Sequence, residues 1–166
     1  MDEVRIVDAE ERYCESHTQT MNIVAREGLY LSNNTGFSYE SILSFYRSCK
    51  ASGYPQYYVI NSEDIAVGWC DIVPRLASGP RVGFIGVGLR PEYRECGIGT
   101  RLMQHAIDHA KEFGFTEIRL ECRASNSRAL HVYTHKLGFH KMITKRGYLN
   151  IDGQRIPLVY MKKKLH

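Results

Sequence analysis

The chain has no long apolar run, no C-x-x-C pair, no internal repeat and no low-complexity tract. The first absence excludes a membrane-spanning helix, which needs about 20 consecutive apolar residues. The second bears on five cysteines set far apart, Cys14, Cys49, Cys70, Cys96 and Cys122. An odd number with such spacing argues for reduced thiols rather than a disulfide frame or a zinc site. Charge of one sign is also scarce. The formal net charge is only +4, and the one compact basic run is Lys162-Lys163-Lys164. That run reads as a solvated strand end, so neither nucleic acid nor a membrane is an expected partner. The small positive excess suits an anionic small-molecule ligand. What remains is ordinary for a globular chain: 166 residues, 43% hydrophobic and 24% charged. That length fits a single domain over 1–166 with a real core. The opening Met1-Asp2-Glu3-Val4-Arg5 is charged and lacks the apolar centre of a signal peptide, so a cytoplasmic protein is expected.

Periodicity places the elements. A strand is expected over 4–7 and a helix over 9–27, followed by a turn-rich break over 28–37. Ser38 is a plausible N-cap for a second helix. Strand-like runs at 57–60 and 65–73 flank Asn61-Ser62-Glu63-Asp64 and read as a hairpin. A loop over 74–81 leads to a strand over 82–89. The spacing of Ile98, Leu102, Met103, Ala106, Ile107, Ala110 and Phe113 predicts a helix that Gly114 ends. Residues 117–123 alternate as a strand, and Ser125-Asn126-Ser127 opens a short helix to 137. Two strand-like runs over 141–163 surround Asp152-Gly153, a two-residue hairpin signal, and Pro157 marks an edge or bulge in the last. The order β-α-α-β-β-β-α-β-α-β-β indicates an α/β domain with a mixed sheet flanked by helices.

The most informative stretch is Arg94-Glu95-Cys96-Gly97-Ile98-Gly99-Thr100, between the strand over 82–89 and the amphipathic helix. A strand feeding a glycine-rich turn that opens a helix presents backbone N–H groups to an anion. The spacing is neither the P-loop nor the dinucleotide fingerprint. It is R-x-x-G-x-G. Further on stands N-x-x-A-x-x-x-Y-x-x-x-x-G-F, carried by Asn126, Ala129, Tyr133, Gly138 and Phe139. Together these motifs resemble the GNAT superfamily of N-acyltransferases, across about a third of the chain. The Gly147-Tyr148 strand and the Asp152-Gly153 hairpin are similar to bacterial members acting on small amines or amino acids.

The resemblance implies acetyl-CoA as cosubstrate, no metal, and transfer of an acetyl group to a primary amine by direct attack in a ternary complex. The acceptor would be a small amine, an amino acid or a peptide N-terminus. A sensor that binds acyl-CoA without turnover is the alternative. In the family, the strand before the turn splays from its neighbour and pantetheine pairs along it, here at Val87 and Leu89. The Leu89 N–H would then stabilise the thioester oxygen. The pyrophosphate would rest on Glu95, Gly97, Ile98, Gly99 and Thr100, with Arg94 adding charge. Asn126 and Ala129 would contact the pantetheine arm, although Asn126 by position is also a plain helix N-cap. Position alone allows Tyr133 to be a packing aromatic one turn after Ala129. The resemblance makes it a cofactor contact and the general acid for the departing thiolate, since a phenol stays protonated at neutral pH.

The base is open among Glu27, Asp71 and water, and Gly86 and Gly88 deny the chain a carboxylate on the cofactor strand. The pairs His105/His109 and His131/His135 have metal-clip spacing, but read as solvated helix faces. Cys96 lacks a histidine partner and is not expected to be a nucleophile. Acceptor specificity would lie in residues 28–37, 74–81 and the last hairpin. A homodimer is expected, built through the C-terminal strands or nearby helices.

Overall fold

The computed structural model of the chain describes residues 2–143 and 146–166. Part of the run expected over 141–163 therefore lies outside the described residues. The elements in order are β1 (Arg5–Asp8), α1 (Cys14–Arg26), α2 (Tyr39–Ser52), β2 (Gln56–Ile60), β3 (Ala66–Pro74), β4 (Val82–Leu89), α3 (Ile98–Phe113), β5 (Glu117–Arg123), α4 (Ser127–His135), β6 (His140–Lys141), β7 (Gly147–Ile151) and β8 (Gln154–Lys164). One sheet runs β1-β2-β3-β4-β5-β8-β6, with β7 also on β8. All neighbours are antiparallel except β4 and β5.

Alternation along each strand divides the interior into two cores. Tyr57, Val59 and Ile118 face α3 with Leu102, Ala106 and Ala110. Tyr58, Ile60 and Trp69 face α1 and α2 with Val24, Ile42 and Tyr46. Helices on both faces are what a sheet with a parallel crossover requires. β4, α3 and β5 fall where periodicity put them. Ser38 caps α2, its hydroxyl accepting from the Ser41 N–H at 3.2 Å.

Three expectations change. The first helix starts later, because the Ala9 N–H continues the β1–β2 ladder to the Gln56 carbonyl and Glu10 is still extended. A single 3-10 turn, Glu11–Tyr13, then leads into α1. The helix expected to reach 137 stops at His135, and Leu137 and Phe139 turn into the core instead. Pro157 is not on an edge strand: β8 lies between β5 and β7, and no register shift occurs there. β8 simply outlasts β5, whose last pair is Arg123 with Leu158. The Pro157 carbonyl accepts from Ala124, so its nitrogen faces the open end of β5, where no N–H is needed.

His17 on α1 is 2% exposed and packs on Tyr58 and Trp69, and its Nδ1 has no partner. Burial holds the imidazole neutral and pushes its pKa down from 6.5 to about 3. The unfolded chain therefore binds a proton below pH 6.5 that the folded chain refuses until about pH 3. The stability from His17 is complete above that window and is lost on acidification at about 1.4 kcal/mol per pH unit. Asp71 acts in the opposite sense. Its carboxyl is pushed up by burial from 3.8 to about 7, so its contribution fades as pH rises through that range. Urea denaturation should show wild type gaining stability relative to His17→Leu from pH 4 to pH 6.5. A gap independent of pH would contradict the buried neutral imidazole.

Candidate active site

The β4–β5 ladder is short. It begins at Val82 with Glu117 and ends at Phe84 with Arg119, while β4 stays paired to β3 as far as Leu89 with Gly68. Beyond Phe84 the two parallel strands splay. The Arg90 N–H donates to the Val67 carbonyl and the Thr116 N–H to the Arg81 carbonyl. Backbone groups alternate sides along a strand, so those of Val87 and Leu89 face the gap. Gly88 is required here, since a Cβ would run into the Trp69 ring.

The turn after β4 holds left-handed backbone at Glu95 (φ 64°) and Gly97 (φ 81°). Such turns gather N–H groups into an anion-binding concavity. Gly97 is also the N-cap of α3, no side chain caps that end, and no acidic residue occupies the first turn. The first-turn N–H groups and the positive end of the helix dipole are therefore left to a ligand. No atom lies within 4 Å of where a Cβ on Gly97 would stand. An anion can reach the turn backbone without steric opposition, which fits a pyrophosphate.

A cavity of about 480 Å³ joins this turn to the splayed edge. Val87, Leu89, Arg94, Glu95, Gly97, Gly99 and Thr100 line it from one side, and Asn126, Ala129 and Tyr133 from α4. All the cofactor residues expected from sequence meet there except Ile98. That side chain is 4% exposed and packs in the core, leaving only its backbone to the turn. Asn126 caps α4 by accepting from the Ala129 N–H at 3.3 Å, which leaves its amide NH₂ to donate. Arg94, in the cavity wall, also has a structural task that the sequence did not suggest. Its guanidinium forms a two-pronged pair with Glu27 at 2.9 and 2.8 Å, and its Nε donates to the Leu89 carbonyl at 3.0 Å. It also lies over the Tyr30 ring at 4.7 Å. Arg94 thus ties the end of β4 to the end of α1, and Glu27 is its counter-ion.

A second cavity of about 200 Å³ adjoins the first, between Ile85–Val87 of β4 and Leu120–Arg123 of β5, and Tyr133 lines both. Burial, with Cys122 and Cys70 nearby, raises the Tyr133 phenol above its ordinary value, which keeps it a proton donor at neutral pH. Asp71 does not line this cavity; its carboxyl lies beside Gly86, 3.3 Å from where a Cβ would be. Three charged residues stand in the wall: Arg75 falls in the 74–81 segment expected to carry acceptor specificity, whereas sequence reasoning missed Glu121 and Arg123. Arg123 donates to the Gly28 carbonyl at 2.7 Å and to the Leu31 carbonyl, pinning the break after α1 across the strands. The sequence signal for those two was a strand with one wholly charged face: Glu117, Arg119, Glu121 and Arg123.

The histidine pairs divide. His109 Nδ1 is hydrogen-bonded to the Tyr57 hydroxyl at 2.8 Å, and His105 meets the same ring edge-on. His109 is therefore a packed residue rather than a solvated one, whereas His131 and His135 are exposed. Among the described residues no group of three or more metal-ligating side chains forms. The Cys96 thiol donates to the Tyr93 carbonyl at 3.1 Å.

A parallel strand pair opened beside an uncapped helix N-terminus, with one cavity along both, makes an α/β cleft for an extended ligand that carries an anionic group. The chain belongs to the Acetyltransferase (GNAT) family, whose sequence pattern matches residues 20–139. A curated relative, the ribosomal protein bS18-alanine N-acetyltransferase of Escherichia coli strain K12, is 36% identical over 74 residues. That match covers 44% of this chain and 49% of the relative, so the chain spans about half the length of the curated relatives it matches first. The fold is shared with the ribosomal-protein-alanine N-acetyltransferase of Brucella melitensis, at TM-score 0.88 and 22% identity, covering 97% of this chain and 99% of that one. It is also shared with a phosphinothricin acetyltransferase of Sinorhizobium meliloti in complex with acetyl-CoA. There the TM-score is 0.88 at 18% identity, over 98% of this chain and 88% of that one.

Proposed function

We propose that the chain transfers an acetyl group from acetyl-CoA to a primary amine within a ternary complex. The observation that carries this is the place of Tyr133, in the wall shared by the two cavities. Acetyl-CoA would enter along the larger cavity, with its pyrophosphate on the α3 turn and its pantetheine on the free edge of β4. The acceptor amine would come from the smaller one. Its nitrogen attacks the thioester carbonyl, the C–N bond forms and the C–S bond breaks. The Leu89 N–H steadies the carbonyl oxygen as charge develops there. Tyr133 gives its proton to the departing thiolate, and the ammonium proton leaves on the acceptor side. Of the carboxylates weighed as base, Glu27 is engaged by Arg94 and Asp71 lines neither cavity. A water-borne route is thus favoured over either acting directly.

Incubation with acetyl-CoA and a panel of amines, amino acids and peptides tests the proposal. Release of CoA thiol matched by acetylated amine is expected. Saturable acetyl-CoA binding with no acetylated product from any acceptor would favour the sensor. The relatives' names make peptide N-termini one acceptor class to include. A cytoplasmic homodimer completes the proposal. Exposed Ile143, just past β6, and Tyr148, on β7, support pairing through this side of the sheet, and sedimentation as a monomer at high micromolar concentration would exclude it.

A further inference from the structure

The second cavity carries a charge pattern that amine acetylation alone does not call for. Arg75, just past β3, and Glu121, on β5, form an ion pair of 2.7 Å in its wall. Arg75 also lies over the Phe84 ring, its Cζ 4.0 Å from the centroid, which fixes the plane of the guanidinium. Arg123, two residues after Glu121, points to the same face of β5 and is 5% exposed. Its terminal nitrogens hold the Gly28 and Leu31 carbonyls, while its Nε has no partner. The wall thus sets two cations against one carboxylate.

A lone alkylammonium is poorly matched to this wall. It must compete with Arg75 for Glu121, and it adds a third positive charge to a small space. A molecule bearing both charges resolves the conflict. Its ammonium takes Glu121, its anion takes the fork of Arg75, and the signs alternate across the site. We propose that the acceptor is a small amino-acid-type zwitterion that inserts between Glu121 and Arg75, with Arg75 setting the specificity. This rests on the acetyltransferase reading above. Both partners are partly solvated, with side chains 51% and 32% exposed, so the pair opens readily. Arginine binds carboxylates with two parallel hydrogen bonds, which also sets the direction of the amine. The volume, about 200 Å³, is below the roughly 300–1,000 Å³ of drug-sized sites. A peptide N-terminus lacks the feature Arg75 would read, because its first carboxyl is an amide.

The test is acetyl transfer to leucine, methionine and phenylalanine beside their amides and decarboxylated amines, with the side chain held constant within each trio. At least one free amino acid should exceed its amide in kcat/KM by roughly tenfold, the scale of a charge-assisted hydrogen bond at a partly solvated site. Arg75→Gln should bring that ratio toward one, and Arg75→Lys should keep part of it. Acetyl-CoA affinity, read by calorimetry, reports that the variants are folded. Amides or amines used as well as the acids, or a ratio that survives Arg75→Gln, overturns the zwitterion proposal and leaves the acetyltransferase standing. Bound acetyl-CoA with no transfer to any acceptor overturns both.

Discussion

Replacing Tyr133 with phenylalanine should lower kcat by about 10²–10⁴-fold, the usual loss on removing a general acid. The ring and its contact with Phe139, 6.2 Å between centroids, are kept, so only the hydroxyl is withdrawn. A thiolate that leaves without a proton is left as an anion in a partly buried site. The effect should therefore fall on the chemical step. Acetyl-CoA affinity should change far less, because the ground-state thioester needs no proton. The comparison to make is single-turnover transfer against acetyl-CoA Kd, for wild type and Tyr133→Phe. A variant with unchanged chemistry would make Tyr133 a packing residue between the two cavities.

Gly99→Asp should abolish useful acetyl-CoA binding. Gly99 stands in the first turn of α3 and lines the larger cavity. The nearest atom to an added Cβ is Leu89 Cδ1 at 3.5 Å, an ordinary contact, so a methyl group alone fits. Gly99→Ala is therefore the control for bulk. The aspartate brings a negative charge to the place meant for the pyrophosphate. Two like charges about 4 Å apart at an effective dielectric of about 20 repel by about 4 kcal/mol, or roughly 10³-fold in Kd. Calorimetry should show near-normal binding by the alanine variant and none measurable by the aspartate variant, both folded by circular dichroism. Equal affinity in the two would move the pyrophosphate elsewhere.

The part of the fold legible in the sequence is the part decided locally. β4, α3 and β5 were read to the residue because Gly97 and Gly114 bound a strongly amphipathic helix and the flanking strands alternate cleanly. The cofactor wall was legible for the same reason, since its residues sit at fixed offsets within one strand–turn–helix unit and one short helix. What escaped depends on contacts distant in the chain. The pair between Arg94 and Glu27 joins residues 67 apart, and no local pattern reveals that the motif arginine is already engaged. Arg75 and Glu121 are 46 apart. Their meeting needs the Arg75 side chain to cross Phe84 on β4 to reach β5, which periodicity does not describe. Pro157 was misread because a missing N–H excludes only positions where that N–H is needed, and β5 ends one pair short of it.

The most direct test is a crystal structure of the protein soaked with acetyl-CoA. The thioester carbonyl should lie within about 3 Å of the Leu89 N–H. The sulfur should be within reach of the Tyr133 hydroxyl, and the pyrophosphate should rest on the backbone of Gly97 to Thr100. A thioester held outside the gap between β4 and β5, or a pyrophosphate away from the α3 turn, would contradict this assignment of the site.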